Sequence, residues 1–298
     1  MNTRDIEYFI KLTELKNFSK VAQEFKVSQP SVTFALQRLE KELDTKLIIR
    51  HRARGQLVIT DSGHQLLQHA KQMLRHYQLI KMEINNIKQK KLSLGLPPII
   101  ENNYFPAVAR ILKEKNLLSK INTMEYGSMR TLEALKNGAV DLALLGSIDS
   151  LSDEEIITEE FDRQTFSIFV SREHKLASKK NIYFAELRKE DFVLFKNGFV
   201  HNQAINVLAQ RNHFRPHVIF RSNGTHSLMN LIADGVGVGF LTSVIKPMRT
   251  DIVKLNLLDK DMPQFVTSIA YRQAYFFNAL QKEILDNIRT ALFEKGIG

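Results

Sequence analysis

Cysteine is absent from the 298 residues, which removes disulfide frameworks, thiolate metal sites, iron–sulfur ligation and cysteine nucleophiles from consideration. Such a chain suits a reducing compartment. No apolar run reaches the roughly 18 residues of a membrane span. The opening nonapeptide, with Arg4, Asp5 and Glu7, lacks the apolar core and cleavage site of a secretion signal. A globular, cytoplasmic protein with no membrane partner is expected. There is no P-loop, no His-Glu-x-x-His and no Gly-x-Ser-x-Gly. Gly235-Val236-Gly237-Val238-Gly239 superficially matches a dinucleotide loop, but it follows a predicted helix and enters a strand, the wrong order for a pyrophosphate turn. His64, His69 and His76 have no i, i+4 pairing and are expected to face solvent rather than a metal. Asp153-Glu154-Glu155 and Glu159-Glu160 read as solvated faces. No cofactor, no metal and no enzymatic chemistry is expected.

What is present is length for about two domains and a basic excess concentrated at one end. Of the net charge of +10, residues 1–91 carry +8, from 17 Lys and Arg against 9 Asp and Glu. A compact basic module joined to a nearly neutral body is the footprint of a polyanion-binding head on a sensing domain.

Helical periodicity organises the head. Residues 5–14 place Ile6, Phe9, Ile10 and Thr13 on one face, and Phe18, Val21, Ala22 and Phe25 repeat the pattern with Ser19 as the expected N-cap. A third helix is predicted from Ser28-Gln29-Pro30-Ser31, where Ser28 caps and Pro30 is harmless because first-turn amides have no intrahelical partner. Val32, Leu36, Leu39 and Leu43 form its buried stripe, leaving Gln29, Ser31, Thr33, Phe34, Gln37, Arg38 and Lys41 outward. Two short helices joined by about three residues, the second rich in amides and hydroxyls, form a helix-turn-helix. Its second helix fits the DNA major groove, where Gln reads adenine edges and Ser and Thr bond bases or phosphates. Two β-rich runs between Leu47 and Thr60 then flank a tip with Arg50, Arg52 and Arg54 on alternate positions. This reads as a hairpin wing reaching phosphates or the minor groove.

From residue 61 to about 88 no proline interrupts, and Leu66, Ala70, Met73, Tyr77, Ile80, Ile84 and Ile87 advance by alternating steps of four and three. That heptad seam predicts a helix partner, most simply the same helix of a second copy, and Thr60 is the expected N-cap. Two recognition helices about one DNA turn apart would read an inverted repeat.

Val27-Ser28-Gln29-Pro30-Ser31-Val32-Thr33, Leu39-Glu40-Lys41-Glu42-Leu43, Leu47-Ile48-Ile49-Arg50 and Leu57-Val58-Ile59-Thr60-Asp61-Ser62-Gly63 resemble, in residues and spacing, the LysR-type transcriptional regulators. The resemblance implies a winged helix-turn-helix at 1–60, a linker and dimerisation helix at 61–90, and a two-lobed α/β effector-binding domain, like the periplasmic binding proteins, at 91–298. The lobes are expected at about 91–163 with 265–298, and at about 164–264. Asp44 stands where the family usually has a helix-ending Gly, and Ile48 where Phe is usual; Asp visits the left-handed region at modest cost. The opening Met-Asn-Thr-Arg-Asp is further similar to regulators of malolactic fermentation, which implies L-malate as effector. Double-stranded DNA, a second copy or a dimer of dimers, and RNA polymerase are the implied macromolecular partners.

Alternating strand-like and helical runs follow residue 91 and predict an α/β sheet. Strands are expected at 92–96, 121–126, 140–145, 166–170, 192–195, 218–221, 238–241 and 266–271, and helices at 105–115, 128–137, 203–210, 227–234 and 276–293. Ligands in such folds bind where strand C-termini meet helix N-termini. That places the candidate effector residues at Pro98, Ile99, Ile100, Ser128, Met129, Gly146, Lys196, Asn197, Phe199, His201, Asn223 and Thr225. Ser128 matches the family's hydroxyl position before a helix, although a simple N-cap explains it equally well. Ile99 stands where the family often has Ser or Thr. Lys196 and His201 are expected to supply positive charge. A solute-binding receptor is the alternative, but it would have no use for the basic head.

Overall fold

The computed structural model describes residues 1–50, 57–247 and 249–294, which group into two compact units, Met1–Met82 and the chain from Glu83 onward. In the first unit, α1 (Thr3–Leu15), α2 (Phe18–Glu24) and α3 (Gln29–Glu42) precede an antiparallel hairpin of β1 (Ile48–Arg50) and β2 (Leu57–Ile59). Phe9, Leu12, Val21, Val32, Ala35, Leu39 and Leu47 pack into one core. Each helix start is held by a side chain. Asn2 accepts from the Arg4 amide, and Ser28 Oγ accepts from the Ser31 N–H at 3.3 Å. The cap of α2 is Asn17, which accepts from the Lys20 N–H at 3.0 Å, rather than Ser19. Lys16, left-handed at φ 48°, ends α1 after Leu15, one residue beyond the expected end at residue 14. Leu43 also departs from expectation. It is 43% exposed, because α3 has ended and Asp44, at φ 47°, turns the backbone away.

The long α4 (Asp61–Gln89) begins where Thr60 Oγ1 accepts from the Gly63 N–H and donates to the Lys46 carbonyl at 2.6 Å, so one hydroxyl caps the helix and ties it to the start of the wing. A side chain at Gly63 would sit 2.2 Å from the Leu47 oxygen, which is why glycine stands there. Along the heptad stripe Leu66 is half-buried and Ala70 buried, whereas Met73, Tyr77, Ile80, Ile84 and Ile87 are exposed. His64, His69 and His76 are exposed.

The second unit runs β3 (Leu92–Gly95), α5 (Pro98–Asn103), α6 (Phe105–Glu114), β4 (Ile121–Met124), α7 (Ser128–Lys136), β5 (Leu142–Ser147), β6 (Ile156–Gln164), β7 (Phe166–Ser171), β8 (Asn181–Ile182), β9 (Asp191–Phe195), α8 (Val200–Arg211), β10 (His217–Ser222), α9 (Thr225–Ala233), β11 (Val238–Thr242), β12 (Ile252–Leu257), β13 (Phe265–Arg272) and α10 (Ala279–Arg289). One sheet has the order β4-β3-β5-β13-β6 and the other β10-β9-β11-β7-β12-β8. The chain passes from the first to the second between β6 and β7, where only Thr165 intervenes, and returns between β12 and β13. Two lobes joined by two crossings bound a cleft.

Several elements differ from the sequence reading. Residues 98–103 form α5, which is absent from the expected helices, its proline sitting in the first turn, where a missing N–H costs nothing. Glu159 and Glu160 lie within β6 and are not simply solvated. Glu159 holds Arg289 at 2.5 Å and the Tyr271 hydroxyl at 3.1 Å, and Glu160 pairs with Arg163. Asp153 likewise pairs with Lys136. The last helix begins at Ala279, fixed by the Asn278–Gln281 capping box, and passes at Arg289 into a π-helical turn. Arg272, at the end of β13, is 7% exposed and donates to the carbonyls of Leu135 and Val140 and to Glu83 Oε1 at 3.0 Å. Beside it the fully buried Asp141 accepts from Asn86 and from the Ser93 amide.

Candidate DNA interface and effector cleft

The outward face of α3 is built by local rules. Ser28, Gln29, Pro30, Phe34, Gln37 and Arg38 are exposed, and Ser31 and Thr33 half-buried. Some of these groups already have partners. The Ser28 and Ser31 hydroxyls lie 2.8 Å apart, and Thr33 Oγ1 donates to the Gln29 carbonyl. Arg38 has a task in the fold as well: Nε and Nη2 grip Asp5, a carboxylate only 4% exposed, at 2.9 and 2.6 Å, which fixes α3 on α1. That neighbour holds the guanidinium charged by hydrogen bonding above all. Glu40 carries a role the sequence reading missed. Buried, it accepts from the Leu47 N–H at 3.0 Å and the Ile48 N–H at 3.4 Å while binding Lys46, so the end of α3 anchors the first wing strand. Arg50 closes β1 opposite Leu57; Arg52 and Arg54 lie outside the described residues.

In the second unit, loops of both lobes bring most of the predicted effector residues together. At the base of the cleft, Ile99, Ile100 and Ser128 from one lobe meet Phe199, Val200 and His201 from the other, with Pro97 and Phe265 completing the wall. The volume left there is about 10 Å³, about one water molecule. Towards the mouth, Pro98, Glu125, Tyr126, Gly127 and Arg130 face Lys196, Asn197, Gly198, Phe199 and Asn223 around a cavity of about 300 Å³. Two glycines set this approach. A side chain on Gly127 would lie 2.8 Å from the Gly198 oxygen, and Gly198 itself has φ +98°, a conformation costly for other residues.

Ser128 is not an N-cap: Gly127 occupies that place without a side-chain bond, and Ser128 is the first helical residue of α7. Its Oγ accepts from the Gly146 N–H at 3.1 Å, tying α7 to the end of β5. Gly146 lies behind the wall, pressed on the Phe265 ring, and Thr225 lines neither cavity. Met129 is 48% exposed and meets Gln203 of the other lobe through its sulfur at 3.6 Å. The expectation that His201 adds positive charge is overturned. The ring is 2% exposed, its Nε2 accepts from the Thr242 N–H at 3.1 Å, and burial pushes its pKa down to about 3, so it is neutral. Arg130 was missed, yet its position carried a signal: a cation in the first turn of a helix opposes the macrodipole. Glu125 and the partly buried Glu101 add acidic groups nearby, burial and then Glu125 pushing the Glu101 carboxyl up.

Comparison with known families accords with this geometry. Residues 85–292 match the LysR substrate binding domain, and residues 3–64 match the bacterial regulatory helix-turn-helix protein, lysR family. The chain belongs to the LysR family. Among LysR relatives, the malolactic fermentation system transcriptional activator of Lactococcus lactis is 26% identical over 291 residues, 97% of this chain and 99% of that protein. Among solved structures, an OxyR mutant from Corynebacterium glutamicum superposes with a TM-score of 0.57 at 20% identity, over 97% of this chain and 91% of that one. The effector binding domain of QuiR, solved with shikimate, gives 0.58 at 15% identity over 68% of this chain and 95% of that one. This LysR-type transcriptional regulator therefore combines a helix-turn-helix DNA-binding domain with a two-lobed effector-binding domain, and the relatives named are regulators rather than enzymes. The solute-receptor alternative leaves residues 3–64 without a purpose. Among the described residues no helix is long and apolar enough to cross a membrane.

Proposed function

We propose that this regulator binds inverted-repeat operator DNA in the cytoplasm as a homodimer or dimer of dimers, and that a small carboxylic acid held between the lobes alters those contacts. The observation that carries the effector reading is a pair of cations: Arg130 and Lys196 line one cavity of about 300 Å³ from opposite lobes. An anion bridging them binds the closed cleft better than the open one, and only such differential affinity can shift the conformation. L-Malate is the first candidate, supported by the malolactic activator's likeness over 97% of the chain. On the DNA side, the exposed Gln29, Phe34 and Gln37 of α3 would enter the major groove, Ser28, Pro30, Ser31 and Thr33 would lie against bases or backbone, and Arg38, Arg50, Arg52 and Arg54 would act on phosphates. RNA polymerase is the partner expected of an activator.

Calorimetry of the full chain with L-malate tests the cleft. Saturable binding is expected, weakened about threefold or more by Arg130→Ala or by Lys196→Ala, as exposed charge contacts are modest; no binding by the unsubstituted chain would sink the acid reading. Self-association through Met73, Tyr77, Ile80 and Ile84 is tested by sedimentation of Ile80→Glu. A buried unpaired charge at that seam should leave a folded monomer at low micromolar concentration, and a persistent dimer refutes the seam.

A further inference from the structure

The base of the cleft contains a hydrogen-bond donor with nothing to bond. His201, in the first turn of α8, uses Nε2 to accept from the Thr242 N–H at 3.1 Å, which makes Nε2 the bare nitrogen and places the proton on Nδ1. That Nδ1 is buried and has no partner among the described residues. The groups packed on the ring are Phe166 of β7, Phe195 of β9 and Phe265 of β13, with the Thr242 amide of β11, and none is charged. Burial alone drives the ring to its neutral form. A buried donor left unmade is costly, and native structures keep few of them without a reason.

The surroundings indicate the reason. His201 shares the water-sized volume at the base of the cleft with Ser128. The Ser128 oxygen already accepts from the Gly146 amide, so its own proton is available. Around these two donors the wall is apolar, formed by Ile99, Ile100, Phe199 and Phe265. The volume suits one ligand oxygen, and the larger cavity, which shares Phe199 with it, suits the rest of a small acid. An ammonium group in the same volume would meet donors and no carboxylate in its lining.

We propose that His201 is a specificity-determining residue of the cleft, donating from Nδ1 to an acceptor oxygen of the effector with the Ser128 hydroxyl as second donor, and so selecting oxygen-bearing acids over their amino counterparts. The proposal rests on the reading of the cleft as an acid site.

Three substitutions separate this role from a structural one. His201→Asn retains an N–H near the Nδ1 position, His201→Gln retains an acceptor near Nε2 for the Thr242 amide, and His201→Leu retains neither. Calorimetry of the full chain uses L-malate and L-aspartate, which differ by a hydroxyl against an ammonium. The unsubstituted chain is expected to prefer L-malate by about tenfold or more, and Leu and Gln variants to lose about tenfold in L-malate affinity, the worth of one buried hydrogen bond. His201→Asn should stay within about threefold, while the melting temperature ranks Gln highest. Affinity that instead follows the melting temperature, with Gln retained and Asn lost, overturns the proposal. So does equal binding of the two acids. Ser128→Ala, a small change, is the second variant should the histidine variants misfold: it should weaken L-malate about threefold, and unchanged affinity overturns the donor pair. Nitrogen-15 NMR of the free chain should show Nδ1 protonated and Nε2 bare, and the opposite tautomer or a charged ring overturns the proposal without touching the acid reading. Absence of binding by the unsubstituted chain removes that reading and this inference with it.

Discussion

The outward face of α3 and the cleft of the effector-binding domain are both recognition surfaces, and they place polarity in opposite ways. On α3, Gln29, Phe34 and Gln37 come from one helix, are exposed, and rest on a core formed by the alternate positions Val32, Ala35, Leu36 and Leu39. In the cleft, Ser128 and His201 come from opposite lobes, are buried, and face each other only because the chain crosses between its two sheets. Polar groups on an exposed helix remain hydrated until a ligand arrives and cost nothing while they wait. Polar groups at the base of a cleft must be satisfied by the protein or wait unpaired. The first arrangement tolerates substitution of the reading residues without loss of fold. The second couples reading to packing.

The two domains also differ in how they hold buried charge, and substitutions there should give the largest effects. In the effector-binding domain Arg272 is shared among Glu83, two carbonyls and the neighbourhood of Asp141. Arg272→Met should cost about 3–5 kcal/mol, the usual penalty for stranding buried partners, read as a lower urea midpoint for that domain with the helix-turn-helix unaffected. A loss below about 1 kcal/mol would mean that water reaches these groups. In the head, Glu40→Ala removes two amide contacts and one ion pair at the start of the wing. About 2 kcal/mol is expected from charged hydrogen bonds of this kind, together with weaker DNA binding on all sequences. Unchanged amide exchange at Leu47 and Ile48 would contradict it.

The smallest effect sharpens the comparison most. Gln29→Ala on the exposed face should leave the melting temperature unchanged and lower discrimination between operator and altered operator by about 1 kcal/mol, the low end for a base contact. Titrations at several salt concentrations decide the matter, since a phosphate contact would weaken every sequence alike and change the salt slope. Stability loss in this variant would show that α3 does not separate reading from folding as its exposure indicates.

The residues legible in advance were those whose surroundings are their sequence neighbours. Ser28 and Thr60 cap because their hydroxyls need reach only three residues forward, and Asp44 is left-handed because a helix must end there. Arg130 gave a local sign, a cation opposed to its helix dipole, that was overlooked. Other features had no such sign. β6, written Ile-Ile-Thr-Glu-Glu-Phe-Asp-Arg-Gln, lacks strict alternation because it lies at a sheet edge with its carboxylates paired to Arg163 and to Arg289, far along the chain.

The sequence by itself determined the helix-turn-helix, the outward side chains of α3, the heptad stripe and the alternation that makes an α/β body, since periodicity and capping act over a few residues and need no distant partner. Only the tertiary structure decided which ionisable groups keep a charge and which polar atoms stay unpaired. Asp5 receives Arg38 from 33 residues away, and His201 loses its charge to three phenylalanines and an amide from four different strands. Desolvation depends on everything that surrounds a group in space, and for His201 those surroundings are drawn from strands spread over a hundred residues of chain.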